Sequence, residues 1–245
     1  MQVIAHRGAS KHAPENTLAA FRKAAGLRSD MVELDVHLSS DGLLVVMHDT
    51  ALDRTTNGTG ALWKRTAEEL GSLDAGSWFS PTFGAEGVPA LREVFGALLP
   101  SIGVNVEVKA AGDGDARGPS ELGAALLREL DAYAFGRDII VSSFGYHLLE
   151  VIHALRRSLA LAFLYATTQD PELLAARMRS GTIAAIHPLH ELVSADLVLH
   201  AHSHGLAVNA WTVDSPERMR QLAGIGIDGI ITNVPDLARL VLTGA

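Results

Sequence analysis

The chain has 245 residues, 48% of them apolar, with a formal net charge of −8 and no cysteine. This fits one large α/β domain with an ample core, and the lack of any basic block argues against a nucleic-acid surface. Disulfides and thiolate metal sites are excluded, which suits a reducing cytoplasm; no apolar run is long enough to span a membrane, and with a first strand from Gln2 no signal peptide is expected.

Short β-rich runs alternate with amphipathic helical runs. The predicted order opens with a strand over Val3–His6, a helix over Glu15–Ala25, a strand over Met31–Leu38, a short extra strand over Leu43–Met47 and a helix over Leu91–Leu99. It continues with strand Val104–Lys109, helix Ser120–Tyr133, strand Ile139–Phe144, helix Tyr146–Arg156, strand Leu159–Leu164 and helix Pro171–Met178. The last units are strand Ile183–His187, helix Ala195–His204, strand Ala207–Val213, helix Pro216–Leu222, strand Gly229–Thr232 and helix Pro235–Leu242. Gly205 behind one helical run is a stop signal, and Asp214-Ser215-Pro216 ahead of another is a start signal. Strict β-then-α alternation argues a parallel sheet, and eight main units argue a closed (β/α)8 TIM barrel. The rival, an open doubly wound sheet, lacks a Gly-rich dinucleotide fingerprint here. Thr50 to Pro89 breaks the rhythm: it is rich in Gly, Thr and Trp, holds Trp63, Trp78, Phe79 and Phe83, and has no clean period. It reads as an insertion after strand two that caps the barrel mouth. The expected organisation is a single domain over 1–245 with an inserted subdomain at about 50–89.

Side chains alternate faces along a strand, so Glu33, Asp35 and His37 share one face and Val32, Leu34, Val36 and Leu38 the other. In a barrel the apolar face meets the helices and the polar face points inward. Two carboxylates there repel each other unless a cation lies between them. Asn105, Glu107 and Lys109 repeat the pattern on the next strand, and Glu107 adds a third carboxylate. Without cysteine, such a set suits Mg2+ or Ca2+ better than zinc; the plainer alternative is a charge-paired rim in which Lys109 neutralises Glu107. His6 and His48 each end a predicted strand, on the barrel face that carries function. Two imidazoles titrating near neutrality can take one proton and give another, and Arg7 can hold a phosphate oxygen.

Several motifs, in order, resemble the glycerophosphodiester phosphodiesterases. His6-Arg7-Gly8-Ala9 followed by Pro14-Glu15-Asn16-Thr17 is similar to the family's opening motif, and Glu33-Leu34-Asp35-Val36 to its metal strand. Asp41-Gly42, Val45-Val46-Met47-His48-Asp49 and Leu52-Asp53-Arg54-Thr55-Thr56-Asn57-Gly58 resemble its second histidine segment and the start of its insertion. Glu107-Val108-Lys109, Ser142-Ser143-Phe144, Trp211-Thr212-Val213, Gly226 to Thr232 and Pro235 continue the series, so the likeness runs from Ala5 to about Leu237. The resemblance implies a TIM barrel with a small inserted subdomain, and one divalent cation held by Glu33, Asp35 and Glu107. It implies His6 and His48 as general acid and base, with Arg7 and Lys109 near the phosphate. It further implies hydrolysis of a glycerophosphodiester to sn-glycerol 3-phosphate and an alcohol, by attack of the glycerol 2-hydroxyl through a cyclic phosphate or by direct attack of water. The alternative activity is a lysophospholipase D-type reaction on lipid phosphodiesters at the same site; the lack of basic amphipathic segments argues against strong membrane docking. The chain departs from the family pattern at Asn233, where Asp is usual, at Asp214, where Asn is common, and over Leu27-Arg28-Ser29-Asp30.

Phe144 and Trp211, at predicted strand ends, are expected to line the substrate pocket. Glu15 is read first as part of a helix-capping turn, with contact to the metal shell as the alternative for it and Asn16. His187 can border the pocket or serve structure. His200, His202 and His204 are read as exposed residues at the negative end of a helix rather than as a zinc site. His37 is given no role.

Overall fold

The computed structural model describes residues 1–98, 101–109, 115–132 and 139–243. Its strands are β1 (Gln2–His6), β2 (Met31–Leu38), β3 (Leu44–Val46), β4 (Gly103–Val108), β5 (Ile139–Ser143), β6 (Ala160–Tyr165), β7 (Ala185–Pro188), β8 (Ala207–Ala210) and β9 (Gly229–Thr232). All but β3 pair in parallel in the order β1-β9-β8-β7-β6-β5-β4-β2, and β1 pairs again with β2 to close the barrel. Antiparallel β3 sits on the upper part of β2, with Val36 opposite Val46.

The helices return the chain between strands. They are α1 (Leu18–Gly26), α2 (Ala67–Gly71), α3 (Leu91–Leu98), α4 (Pro119–Ala132), α5 (Tyr146–Leu155), α6 (Pro171–Arg179), α7 (Ala195–Ser203), α8 (Pro216–Gly224) and α9 (Pro235–Thr243). The alternation in β2 does what it predicts. Val32, Leu34 and Val36 join the main core with Phe21 of α1 and Phe95 of α3, all fully buried. Each such side chain stabilises the fold by about 1.5–3 kcal/mol through the apolar surface it hides. Glu33, Asp35 and His37 are also buried, on the inner face.

Helix starts follow capping chemistry. Thr17 accepts from the Ala20 amide at α1, Ser194 from Leu197 at α7 and Ser215 from Arg218 at α8. Thus α1 begins at Leu18 and not at Glu15, because Asn16 takes a left-handed φ of 59° that no helix contains. Elsewhere most predicted ends shift by one or two residues; Leu99 and Tyr133, given as helix ends, lie outside the described residues. The larger miss is β8, which stops at Ala210 and not Val213; a single bridge between Leu189 and Trp211 follows it.

Residues 50–89 have a small core of their own. Leu52, Leu62, Leu70, Ala75 and Val88 pack with Val45 and Met47. Helix α2 lies in this segment, fixed by a capping box between Thr66 and Glu69. The periodicity reading overlooks it because five residues are too few to display a helical repeat. Phe79 makes edge contacts with both Trp78 and Phe83, at 5.8 and 5.7 Å between ring centres. Among the described residues, no helix is long and apolar enough to cross a membrane.

Candidate active site

Register builds the centre of the site. In the β2–β4 ladder Asp35 is paired with Glu107, and in the β1–β2 ladder His6 is paired with Glu33. Inward alternation brings one oxygen of each of Glu33, Asp35 and Glu107 within 4.8 Å of the others, all three residues buried. Burial pushes the Glu33 carboxyl well up, and the negative charges of Asp35 and Glu107 push it further. Glu107 is pushed up to about 7 by burial and by Asp35. Burial also raises Asp35, but Lys109 and Arg7 outweigh it and hold that carboxyl below its usual range. Lys109 Nζ lies 2.8 Å from Asp35 Oδ1, as an ion pair not aligned as a hydrogen bond, and also donates to Glu107 Oε1. The mutual repulsion of these buried carboxyls is what a hard cation relieves, so the donor set fits Mg2+ or Ca2+.

The turn after β1 supplies the next layer. Arg7 has a left-handed φ of 56°, which aims its backbone N–H at Glu33 Oε2, 2.9 Å away. Its guanidinium reaches Glu15 Oε1 at 2.8 Å and lies 3.3 Å from Asp35 Oδ2. Gly8 follows with φ +82°, and a Cβ there would stand 2.6 Å from the backbone carbon of Ala20. Only glycine allows this turn to lie so close to α1. Asn16 Nδ2 donates to Asp35 Oδ2 at 2.8 Å.

The two histidines have different surroundings. Burial, with Arg7 nearby, pushes His6 down to about 4, so its ring is neutral at physiological pH. Its Nδ1 lies 2.8 Å from Asn233 Oδ1, and its Nε2 lies 4.0 Å from Glu33 Oε2. His48, two residues beyond β3, meets Asp49 Oδ1 at 2.6 Å through Nδ1. The Arg54 hydrogen bonds hold Asp49 down at about 2. Arg54 also donates to both oxygens of Glu15, at 2.8 and 3.0 Å. A continuous arc of charge therefore runs from His48 through Asp49, Arg54 and Glu15 to Arg7 and Asp35.

One open pocket at the C-terminal end of the barrel is lined by His6, Arg7, Glu33, His48, Glu107 and Lys109, with Phe144 and Trp211 on its far wall. The sequence-predicted site residues thus meet in one place, Asp35 lying just beneath the wall. Phe144 and Trp211 touch edge to face at 5.5 Å, and the Trp211 indole donates to His187 O at 2.8 Å. Asn105 and Ser142 also line the pocket, with buried polar atoms that have no hydrogen-bond partner among the described residues.

Three further residues find their places. The Pro14-Glu15-Asn16-Thr17 turn does cap α1, through Thr17, while Glu15 within it ties Arg7 to Arg54. His187 lies fully buried inside the barrel, against Asn209 at 3.0 Å. His37 braces the second histidine, its Nε2 lying 3.0 Å from the His48 carbonyl. His200 and His204 stack at 4.7 Å, while His202 pairs with Asp228. Asp49 and Arg54 stand inside the quoted motifs, but nothing in their spacing marks them as partners of His48 and Glu15. Asn233 and Asp214, two departures from the family pattern, lie together beside His6. The two touch: Asn233 Nδ2 donates to Asp214 Oδ2 at 2.7 Å.

Cations set against buried carboxylates, with two imidazoles at the mouth of a closed barrel, define a barrel enzyme for an anionic substrate. The chain matches the model of the glycerophosphoryl diester phosphodiesterase family over residues 6–237 and belongs to that family; it is a phosphoric diester hydrolase. It is 39% identical to the glycerophosphodiester phosphodiesterase of Caldanaerobacter subterraneus, over 99% of this chain and 98% of that one. Identity to the Bacillus subtilis glycerophosphodiester phosphodiesterase is 32%, over 98% of this chain and 86% of that one. Among solved structures, an Oleispira antarctica phosphodiesterase in complex with the product sn-glycerol-3-phosphate superposes with a TM-score of 0.91 at 30% identity, covering 99% of this chain and 97% of that one.

Proposed function

We propose that this enzyme hydrolyses glycerophosphodiesters to sn-glycerol 3-phosphate and an alcohol, with one divalent cation, Mg2+ or Ca2+, held by Glu33, Asp35 and Glu107. The observation that carries this is the convergence of that carboxylate trio with two imidazoles and two fixed cations on one pocket. When bound, the cation supplies positive charge to the phosphate in a chain whose net charge of −8 repels an anion. The likeness to a structure that holds sn-glycerol-3-phosphate supports the product. The absence of cysteine suits the cytoplasm, where we place the reaction.

His6 and His48 form the acid–base pair in this reading. One takes the proton of the attacking hydroxyl and the other gives a proton to the departing alkoxide oxygen. Arg7 and Lys109, already fixed by carboxylates, steady the non-bridging phosphate oxygens without reorganising. Phe144 and Trp211 offer an apolar wall to the organic part of the substrate. We place selectivity for the alcohol on the aromatic group of the 50–89 subdomain.

The test is turnover of several glycerophosphodiesters by chelated protein, with Mg2+ or Ca2+ then restored. His6→Ala and His48→Ala should each fold yet lose roughly 10²–10⁴-fold in turnover, the usual contribution of one general acid or base. Full activity in chelated protein, or near-parental turnover in either variant, would refute the assignment.

A further inference from the structure

His6 can act in only one direction at a time, and the direction is set by which ring nitrogen carries its proton. Its Nδ1 faces Asn233 Oδ1 at 2.8 Å, and the same oxygen receives the Ser10 hydroxyl at 2.8 Å. An amide side chain can be turned either way round, so something must hold its oxygen on this side. Asp214 does so. A carboxylate only accepts, and Asp214 Oδ2 lies 2.7 Å from Asn233 Nδ2, which must therefore be the amide's donor end. Asp214 is itself anchored through Oδ1, which accepts from Thr232 Oγ1 at 3.0 Å and from the Asn233 backbone N–H at 2.9 Å.

We infer that Asp214, acting through the Asn233 amide, is a positioning residue that locks His6 in its Nδ1–H form and leaves Nε2 as a bare proton acceptor facing the pocket. This rests on the reading of His6 as a reacting group and goes beyond it. His6 is the general base, and His48, whose partner is the Asp49 carboxylate, is the general acid. A carboxylate can accept from Nδ1–H whether the ring carries one proton or two, as an acid requires. The neutral Asn233 oxygen accepts the same N–H but brings no negative charge to hold a second proton on the ring before the reaction begins. The proton balance closes: Nε2 of His6 receives the proton of the attacking hydroxyl, and Nε2 of His48 releases one to the alkoxide.

The geometry makes an unusual prediction for Asp214→Asn. The new amide keeps an oxygen towards Thr232 and the Asn233 N–H, which places its NH2 against the NH2 of Asn233. Two donors cannot face each other, so Asn233 turns over and presents its NH2 to His6 Nδ1. The ring must then accept at Nδ1 and carry its proton on Nε2, where it blocks the base. Exchanging both residues, Asp214→Asn with Asn233→Asp, restores an acceptor opposite Nδ1.

The experiment is 15N NMR of histidine-labelled protein in Mg2+, which distinguishes the two neutral ring forms, alongside steady-state kinetics; His6→Ala identifies the His6 signals. The unmutated protein should show His6 as Nδ1–H. Asp214→Asn should show Nε2–H and lose roughly 10²-fold or more in kcat, with KM little changed. The exchanged pair should recover the Nδ1–H form and kcat to within roughly tenfold of the parent. An Nε2–H signal in the unmutated protein overturns the inference without any variant. So does an Asp214→Asn enzyme that loses activity with its ring form unchanged, or an exchanged pair that folds without regaining it. If the ring forms switch as described while His6→Ala keeps full turnover, the reading of His6 as a reacting group fails instead.

Discussion

At the scale of single residues, His187 shows what burial alone does to a titratable group. His187 lies inside the barrel, and burial pushes its ring down to about 3, against about 6.5 in the unfolded chain. Between those values the unfolded chain holds a proton that the folded one refuses, so stability rises with pH across that window and is lost as pH falls from about 6.5 towards 3. The slope from this one group reaches about 1.4 kcal/mol per pH unit. His187→Gln keeps an amide against Asn209 and removes the titration, so urea denaturation at stepped pH should show a shallower acid-side loss by one proton. An unchanged slope would place the acid lability elsewhere. Residues of this kind differ in how far the sequence exposes them. Glu33, Asp35 and Glu107 could be read because alternation along two apolar strands forces them onto one face. The bond from His6 to Asn233 could not, since the partners stand 227 positions apart and meet only when β1 pairs with β9. Nothing in local spacing marks Asp214 as the group that orients Asn233. The arrangement emerges when the barrel closes.

At the scale of elements, the strands and long helices were legible from period and punctuation, whereas short devices were not. Helix α2 is too brief to show a period, and the left-handed Arg7 and Asn16 look like ordinary residues in a loop. The β1–α1 turn is the most demanding of these. It must send the Arg7 N–H to Glu33 while packing Gly8 against the backbone of α1. Gly8→Ala meets both an unfavourable φ of +82° and backbone atoms at 2.6 and 2.8 Å. The expected cost is at least roughly 1–3 kcal/mol, and because backbone cannot move aside, the turn itself should shift. Thermal melts should show the loss, and activity should fall further than the melt alone explains, because Arg7 and His6 move with the turn. A variant as stable and active as the parent would show that the turn has room the structure does not reveal.

At the scale of the whole molecule, the buried acidic centre opposes folding by a free energy that the proposed cation would offset. Glu33 and Glu107 are held above their usual range first by burial and then by the negative charge of the neighbouring carboxylates. A cation that binds only the folded barrel should stabilise it by about 2.7 kcal/mol at a hundred times its Kd. Melting in chelator and then in excess Mg2+ or Ca2+ should show a rise of several degrees, and Glu33→Gln should melt higher than the parent in chelator and respond less to the cation. Equal melting temperatures with and without cation would argue against the site. The arc from His48 through Asp49, Arg54 and Glu15 to Arg7 carries a lesson for chimeras. Residues 50–89 supply most of a small core that Val45 and Met47 complete, so exchanging them as a cartridge tests the selectivity proposed for them. The cartridge is keyed, because Arg54 is its plug into Asp49 and Glu15. A transplanted segment lacking an arginine there would leave Asp49, the partner of His48, free to turn away.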